Sequence, residues 1–374
     1  MEQLNFSIYS IPLIMGFLHS NLFAALLFFR GWSQNRLSDF LLGLLLVCTA
    51  LLIMPYMLGF MGVEVMWNEL LFFPIDPGLL IGPVVYFYLV SQTNNDFRFQ
   101  RKDAWHLLPF AIYLAYHLAV FFQGKSFVHY WMANVHLPYL GAVFDIATLI
   151  SNYLYLYLAI RHYREYRKWI ETVYSNTQEI KLSWYRNFLF MASFGVTVAW
   201  IFNAVQDFGS GLSYTQSWWE YLFIVLIIYI ISIQGYNQTQ TVYIYFKANN
   251  NPSSAQLLDE EEVESWKRRI QQLLEEKQLY LQPELTLRQI ATELKAPSST
   301  ISQAINAGFG KNFNTFINEY RIEAFKKEAK DPANQHLSLL AIAMDCGFNS
   351  KATFNRVFKN AMGISPSKYL NGER

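Results

Sequence analysis

The stretch GFNSKATFNRVFK, residues 347–359, sets how the last third of the chain folds. Gly347 and Phe348 make a tight turn, glycine because the chain bends where a side chain is costly, phenylalanine because the bend needs a plug in the core. Helical spacing follows. Phe354, Val357 and Phe358 share one face and are expected to bury against Ile342 and Ala343, while Lys351, Asn355, Arg356 and Lys359 share the other. That is the layout of a recognition helix: arginine and asparagine bond base edges in a major groove, and lysine neutralises phosphate.

Working back from this stretch, a near-repeat appears. LTLRQIATEL (285–294) places Leu287, Ile290, Ala291 and Leu294 as LSLLAIAMDC (337–346) places Leu339, Ile342, Ala343 and Cys346, each set behind a Thr286 or Ser338 able to cap a helix. Second helices follow at TISQAIN (300–306) and TFNRVFK (353–359), giving two helix-turn-helix units at about 286–307 and 338–359. Between them, Phe313, Phe316, Ile317, Tyr320 and Ala324 mark one face of a bridging helix that Asp331-Pro332 stops. The first unit exposes Ser298, Ser299, Ser302, Gln303 and Asn306 and brings no charge until Lys311. From Pro283 to Arg374 there are twelve bases and eight acids. This mild excess fits specific DNA binding better than strong non-specific binding.

Residues 260–374 resemble the DNA-binding domain of the AraC/XylS family of bacterial transcription regulators. The residues that carry the resemblance are Ile342-Ala343, Gly347-Phe348, Ser350, Phe354, Phe358-Lys359, Gly363, Pro366 and Tyr369, together with the first unit. Leu370 stands where an arginine often follows the tyrosine, and Cys346 replaces a common valine. The resemblance implies that both recognition helices enter successive major grooves on one face of double-stranded DNA, about 34 Å apart. The candidate DNA contacts are then Ser298, Ser299, Ser302, Gln303, Asn306 and Lys311 in the first unit, and Ser350, Lys351, Asn355, Arg356 and Lys359 in the second.

The rest of the chain has a different composition. Of the 374 residues 53% are hydrophobic and only 15% charged, too apolar for an average soluble protein. Seven runs free of Lys and Arg lie at Ile8–Phe29, Phe40–Phe60, Leu70–Val90, Ala104–Phe122, Pro138–Ile160, Phe188–Val205 and Trp218–Ile233. Each approaches the ~20 residues that cross a ~30 Å hydrocarbon core as a helix. Connections one, three and five hold Arg30, Arg36, Arg98, Arg101, Lys102, Arg161, Arg164, Arg167, Lys168, Lys181 and Arg186, against Lys125 alone on the other side. This asymmetry puts the N-terminus outside and the C-terminal part in the cytosol, in an inner membrane. The first run lacks the basic flank and cleavage site of a signal peptide.

The expected fold is therefore all-α, a seven-transmembrane-helix bundle plus a cytosolic double helix-turn-helix domain. The expected organisation is a membrane sensor domain at 1–236, a juxtamembrane linker at 237–262 and a DNA-binding domain at 263–374. The arrangement is similar to membrane-embedded AraC-type regulators of the Bacteroidota, including the GPVVYFYLV run at Gly82 and His106 with Pro109. KANNNPSSAQ (247–256) reads as a flexible tether. After it, Val263, Trp266, Ile270 and Leu273 form an apolar stripe that either packs on the following domain or seams a homodimer.

The third run, LLFFPIDPGLLIGPVVYFYLV (70–90), is broken by Pro74, Pro77 and Pro83 and carries Asp76. Freed carbonyls and an intramembrane carboxylate line a cavity or a protein interior. Asp76, His117, Asp145, Asn203 and Glu220 all fall toward the outer side and form a candidate pocket for a small polar or cationic ligand or another envelope signal. The competing reading is a satisfied packing network, with His117 bonded to Asp145 or Asp76 and Glu220 wetted at the interface. His129 and His136 without a neighbouring carboxylate make a poor metal site, and no cofactor is expected. Cys48 and Cys346 fall on different sides of the predicted bilayer and cannot pair.

H-E-x-x-H, G-x-S-x-G and P-loop patterns are absent from the sequence, which argues against an enzyme. The expected function is a one-component membrane sensor that regulates transcription. The alternative is a membrane receptor or transporter whose cytosolic domain docks proteins, which the proline-broken third run permits.

Overall fold

The computed structural model describes residues 6–175, 182–208, 212–238 and 258–372. Lys181 and most of the expected linker, 239–257, lie outside the described residues. Among the described residues every regular element is a helix. The chain forms two compact units, Met1–Tyr163 with Ser183–Phe246, and Arg164–Leu182 with Lys247–Arg374.

The first unit contains α1 (Ser10–Ser33), α2 (Leu37–Phe60), the short α3 (Val65–Asn68), α4 (Gly78–Thr93), α5 (Leu108–Phe121), α6 (Lys125–Trp131), the first part of α7 (Gly141–Val173), α8 (Leu182–Phe208) and α9 (Tyr214–Tyr236). A 3-10 segment, Arg101–Leu107, leads into α5, and a π-helical stretch, Met132–Leu140, joins α6 to α7. Among the described residues six helical stretches are long and apolar enough to cross a bilayer: Ser10–Ser33, Leu37–Phe60, Arg101–Phe121, Lys125–Val173, Trp184–Val205 and Tyr214–Tyr236.

The third apolar run forms a shorter helix. Pro74 and Pro77 have no N–H to continue a ladder, and the Asp76 carboxylate accepts the Gly78 N–H at 2.7 Å, so α4 starts only at Gly78. Its 16 residues span ~24 Å, less than the hydrocarbon core of a typical bilayer. α7 does the opposite and runs without a break past Ile160 to Val173.

Within this unit α1 packs on α2 and α9, and α2 packs on α4 and α9. Gly16 and Gly235 allow that approach, because a Cβ at either would collide with Val225 or Leu42 respectively. At the basic end the buried Asp39 receives Arg30 at 2.7 Å and Arg36 at 3.4 Å. The Arg30 guanidinium also lies 4.6 Å over the Tyr236 ring and donates to the Tyr236 carbonyl. Two of the cations that give the chain its charge asymmetry thus also tie α1, α2 and α9 together.

The second unit is built from α10 (Glu260–Lys277), α11 (Leu287–Glu293), α12 (Ser298–Phe309), α13 (Phe313–Glu328), α14 (Leu339–Asp345), α15 (Lys351–Met362) and α16 (Pro366–Gly372). Side-chain caps fix where several of these begin. Thr286 makes a capping box with Gln289, and Asn312, Ser338 and Ser350 accept the N–H of Thr315, Ala341 and Thr353. Removing the first cap as Thr286→Ala should lower the stability of this unit by about 1 kcal/mol, read as a small fall in its unfolding temperature in the full chain.

Two cores hold the unit together. One gathers Ile270 and Leu274 of α10, Ile290 of α11, Ile301 and Ile305 of α12, and Phe313, Phe316 and Ile317 of α13. The other gathers Ile322 and Phe325 of α13, Ile342 and Ala343 of α14, Cys346, Phe348, and Phe354 and Phe358 of α15. The single stripe expected on α13 is thus two faces used in succession. At about 100° per residue, the second set lies well round the helix from the first, with Arg321 between them.

The α10 stripe packs on α12, with Ile270, Leu273 and Leu274 buried and Val263 against the position of Gly308. That face is occupied within the unit, so a dimer seam along it would have to displace α12.

Candidate functional site

Each helix pair shows the same division of faces. In α12, Ile301, Ala304 and Ile305 are buried, and in α15, Thr353, Phe354 and Phe358 are buried. The opposite face of α15 leaves Lys351, Asn355, Arg356 and Lys359 exposed. On α12, Ser299 and Asn306 are exposed, while Ser298, Ser302 and Gln303 are half-buried.

Four candidates already have side-chain or backbone partners, Asn306 Nδ2 donating to Ser302 Oγ at 3.5 Å. Ser350 caps α15, accepting the Thr353 N–H at 3.2 Å, and Lys311 pairs with Glu319 at 2.6 Å. A phosphate contact from Lys311 would have to compete with that carboxylate. The side chain of Leu370 lies outside the described residues. Cys346 is 1% exposed, and burial pushes its thiol up to about 12, so it serves as an inert core residue.

The turns differ in chemistry. In the second pair Gly347 has φ +90°, and Phe348 N–H bonds to the Ala343 carbonyl. In the first pair Lys295 takes φ +51° and Ala296 N–H bonds to the Ala291 carbonyl. Glycine is required at 347 for a further reason. A Cβ there would sit 2.5 Å from the Tyr280 carbonyl oxygen and 2.9 Å from Arg321 Nε.

Arg321 is the polar centre of the unit and carries no obvious signal in the sequence. It is 1% exposed and donates to the carbonyls of Tyr280 (2.8 Å), Gln282 (2.7 Å) and Pro283 (3.3 Å), to Asn318 Oδ1 (3.4 Å) and to Ser175 Oγ (3.0 Å). Burial lowers its pKa to about 10, which still leaves it protonated at neutral pH. Its charge is spread over oxygen dipoles, and it lies where α13 passes from one core to the other.

In the first unit the candidate pocket residues share some neighbours and not others. His117 is buried, and its Nδ1 meets the Phe72 carbonyl at 3.3 Å rather than the carboxylate of the packing-network reading. Its ring stacks on Phe72 at 4.6 Å and lies 4.1 Å from Tyr113, with Tyr116, His136 and Phe144 around it. His117 Nε2 has no partner among the described residues. Tyr113 lies within electrostatic reach of both Asp76 and Asp145, and Tyr221 within reach of Asp76 and Glu220. Asp76 and Asp145 are exposed and Glu220 is half-buried. Asn203 is exposed on α8, and no hydrogen bond among the described residues joins it to the other four. His136 Nδ1 bonds to the Tyr116 hydroxyl at 3.0 Å, and His129 is exposed.

Residues 290–372 match a family described as a helix-turn-helix domain. The matched segment holds α12 through α16 and most of α11. It supports a DNA-binding transcription regulator of the AraC type. Comparison with curated proteins and with solved structures gives no match.

Proposed function

We propose that this chain is a membrane-embedded one-component regulator that binds specific double-stranded DNA through two helix-turn-helix units and is controlled by a signal sensed in or outside the membrane. One observation carries the reading. Two helix pairs, each with a side-chain cap on its first helix, hang on one bridging helix, and each turns a polar face outward from its own apolar core. A solvated face on an ordinary bundle gives no reason for the same division to recur about fifty residues on. The second recognition helix supplies charge through Lys351, Arg356 and Lys359, and the first supplies neutral hydrogen-bonding groups. The second unit is therefore the stronger phosphate anchor, and both read bases.

The apolar stretches of the first unit and the excess of Lys and Arg in alternate connections support an inner-membrane location with the second unit in the cytosol. Sensing belongs to the first unit in this reading, where the aromatic groups around His117 and the carboxyl groups of Asp76 and Asp145 are the candidate contacts for a ligand. Such a ligand acts only through different affinity for two states of the protein.

The test is binding of the full chain, in lipid nanodiscs, to fragmented DNA from its own genome at controlled salt. Enrichment of a defined site spanning about two helical turns supports the reading. A folded chain that retains no DNA at low salt overturns it and favours a cytosolic domain that docks proteins.

A further inference from the structure

The compact unit that holds the helix pairs also includes Arg164–Leu182, the end of α7 and the residues after it. The described part of this arm is built into the unit. Tyr174 pairs with Thr286 in an isolated antiparallel bridge. Ser175 N–H donates to the Leu285 carbonyl at 3.1 Å, and Ser175 Oγ donates to the same carbonyl at 2.7 Å. Asn314 Nδ2 donates to the Ser175 carbonyl at 2.7 Å and to the Tyr174 carbonyl at 3.3 Å. Arg321 Nη2 completes the set at Ser175 Oγ. Ser175 is 1% exposed, and burial raises the Tyr174 hydroxyl above its usual range.

These contacts meet at the joint already described. Leu285 and Thr286 lead into α11 of the first helix pair, Asn314 and Arg321 belong to the bridging helix, and Gly347 of the second pair closes on Arg321. The other end of the arm is α7, one uninterrupted helix from Gly141. It holds no proline, the commonest cause of a sharp kink, so a displacement at one end is carried to the other.

We propose that Tyr174–Ser175 is the docking point through which α7 controls the DNA-reading unit: seated at the Arg321 joint, it holds the two helix pairs in the arrangement that reaches two grooves at once. The coupling rests on the DNA-binding reading above. A signal that shifts α7 withdraws Ser175 from Arg321 and from Leu285. The joint then loosens, and the two recognition helices no longer act as one.

The experiment uses the full chain in nanodiscs, as wild type, Ser175→Pro and Asn314→Ala. Ser175→Pro removes the Ser175 N–H and Oγ and leaves both helix pairs untouched. Asn314→Ala removes both Nδ2 bonds to the arm, together with the Asn318 Nδ2 bond to Asn314 Oδ1, and guards against a local misfold from proline. Hydrogen exchange reports docking, and affinity is measured on the enriched two-groove site and on the same site with one half scrambled. Both variants are expected to exchange faster over 282–289 and to lose about tenfold in affinity on the two-groove site, with no change on the half-scrambled site. Unchanged exchange, or equal loss on both sites, overturns the coupling alone. A wild-type chain that binds no DNA overturns the DNA-binding reading and the coupling with it, while the exchange data still report whether the arm is docked.

Discussion

Gly347→Ala is expected to destabilise the second helix pair by roughly 3 kcal/mol or more. Two costs add. At φ +90° an L side chain crowds its own backbone, at roughly 1–2 kcal/mol. The new Cβ also meets the Tyr280 carbonyl oxygen, which is main chain and cannot rotate away, and Arg321 Nε, which that carbonyl holds in place. Relief requires the turn to back off, and that movement takes Phe348 out of a core it fills at 2% exposure. Thermal unfolding of the full chain, followed by a probe on α15, should show an early transition for the variant. A transition temperature equal to that of wild type would mean that the turn is not held against Arg321 as described.

The second large effect is on binding. Arg356→Ala should cost about 1–3 kcal/mol of affinity and relax base preference at one position of the site. Lys359→Ala should weaken all sequences alike and reduce the salt dependence by about one ion. Both side chains are exposed and stand away from the buried Phe354 and Phe358, so the fold is expected to stay intact. The double variant is measured by salt-titrated binding of the full chain. Equal affinity in wild type and double variant would remove α15 from the recognition role. An unchanged salt slope with reduced affinity would leave Arg356 as a contact and take Lys359 off the phosphate backbone.

Much of this was legible in the residues because it depends on local physics. Helical periodicity with a cap in front marked α11 and α14. The Gly-Phe turn marked α15, and Asp331-Pro332 marked the stop after α13. Runs of about twenty apolar residues give long helices wherever the backbone can keep its N–H groups bonded. Where it cannot, at Pro74 and Pro77, α4 came out short. The division of charge in α15 was equally local, since residues three and four apart share a face whatever surrounds them.

What the sequence could not supply is partnership between distant segments. Nothing in INEYRIEAF distinguishes a surface arginine from one buried against three carbonyls and a serine 146 positions away. The residues around Lys311 do not show that Glu319 lies 2.6 Å from it, nor those around His117 that its Nδ1 meets the Phe72 carbonyl rather than the carboxylate of the packing-network reading. The sequence by itself determined the helices, the apolar segments and the exposed face of α15, because periodicity and hydropathy act over neighbouring residues. Only the tertiary structure decided that α13 serves two cores, that the α10 stripe is spent on α12, and that the end of α7 belongs to the unit that reads DNA. Those outcomes depend on which distant backbone groups are left without water and must find one another.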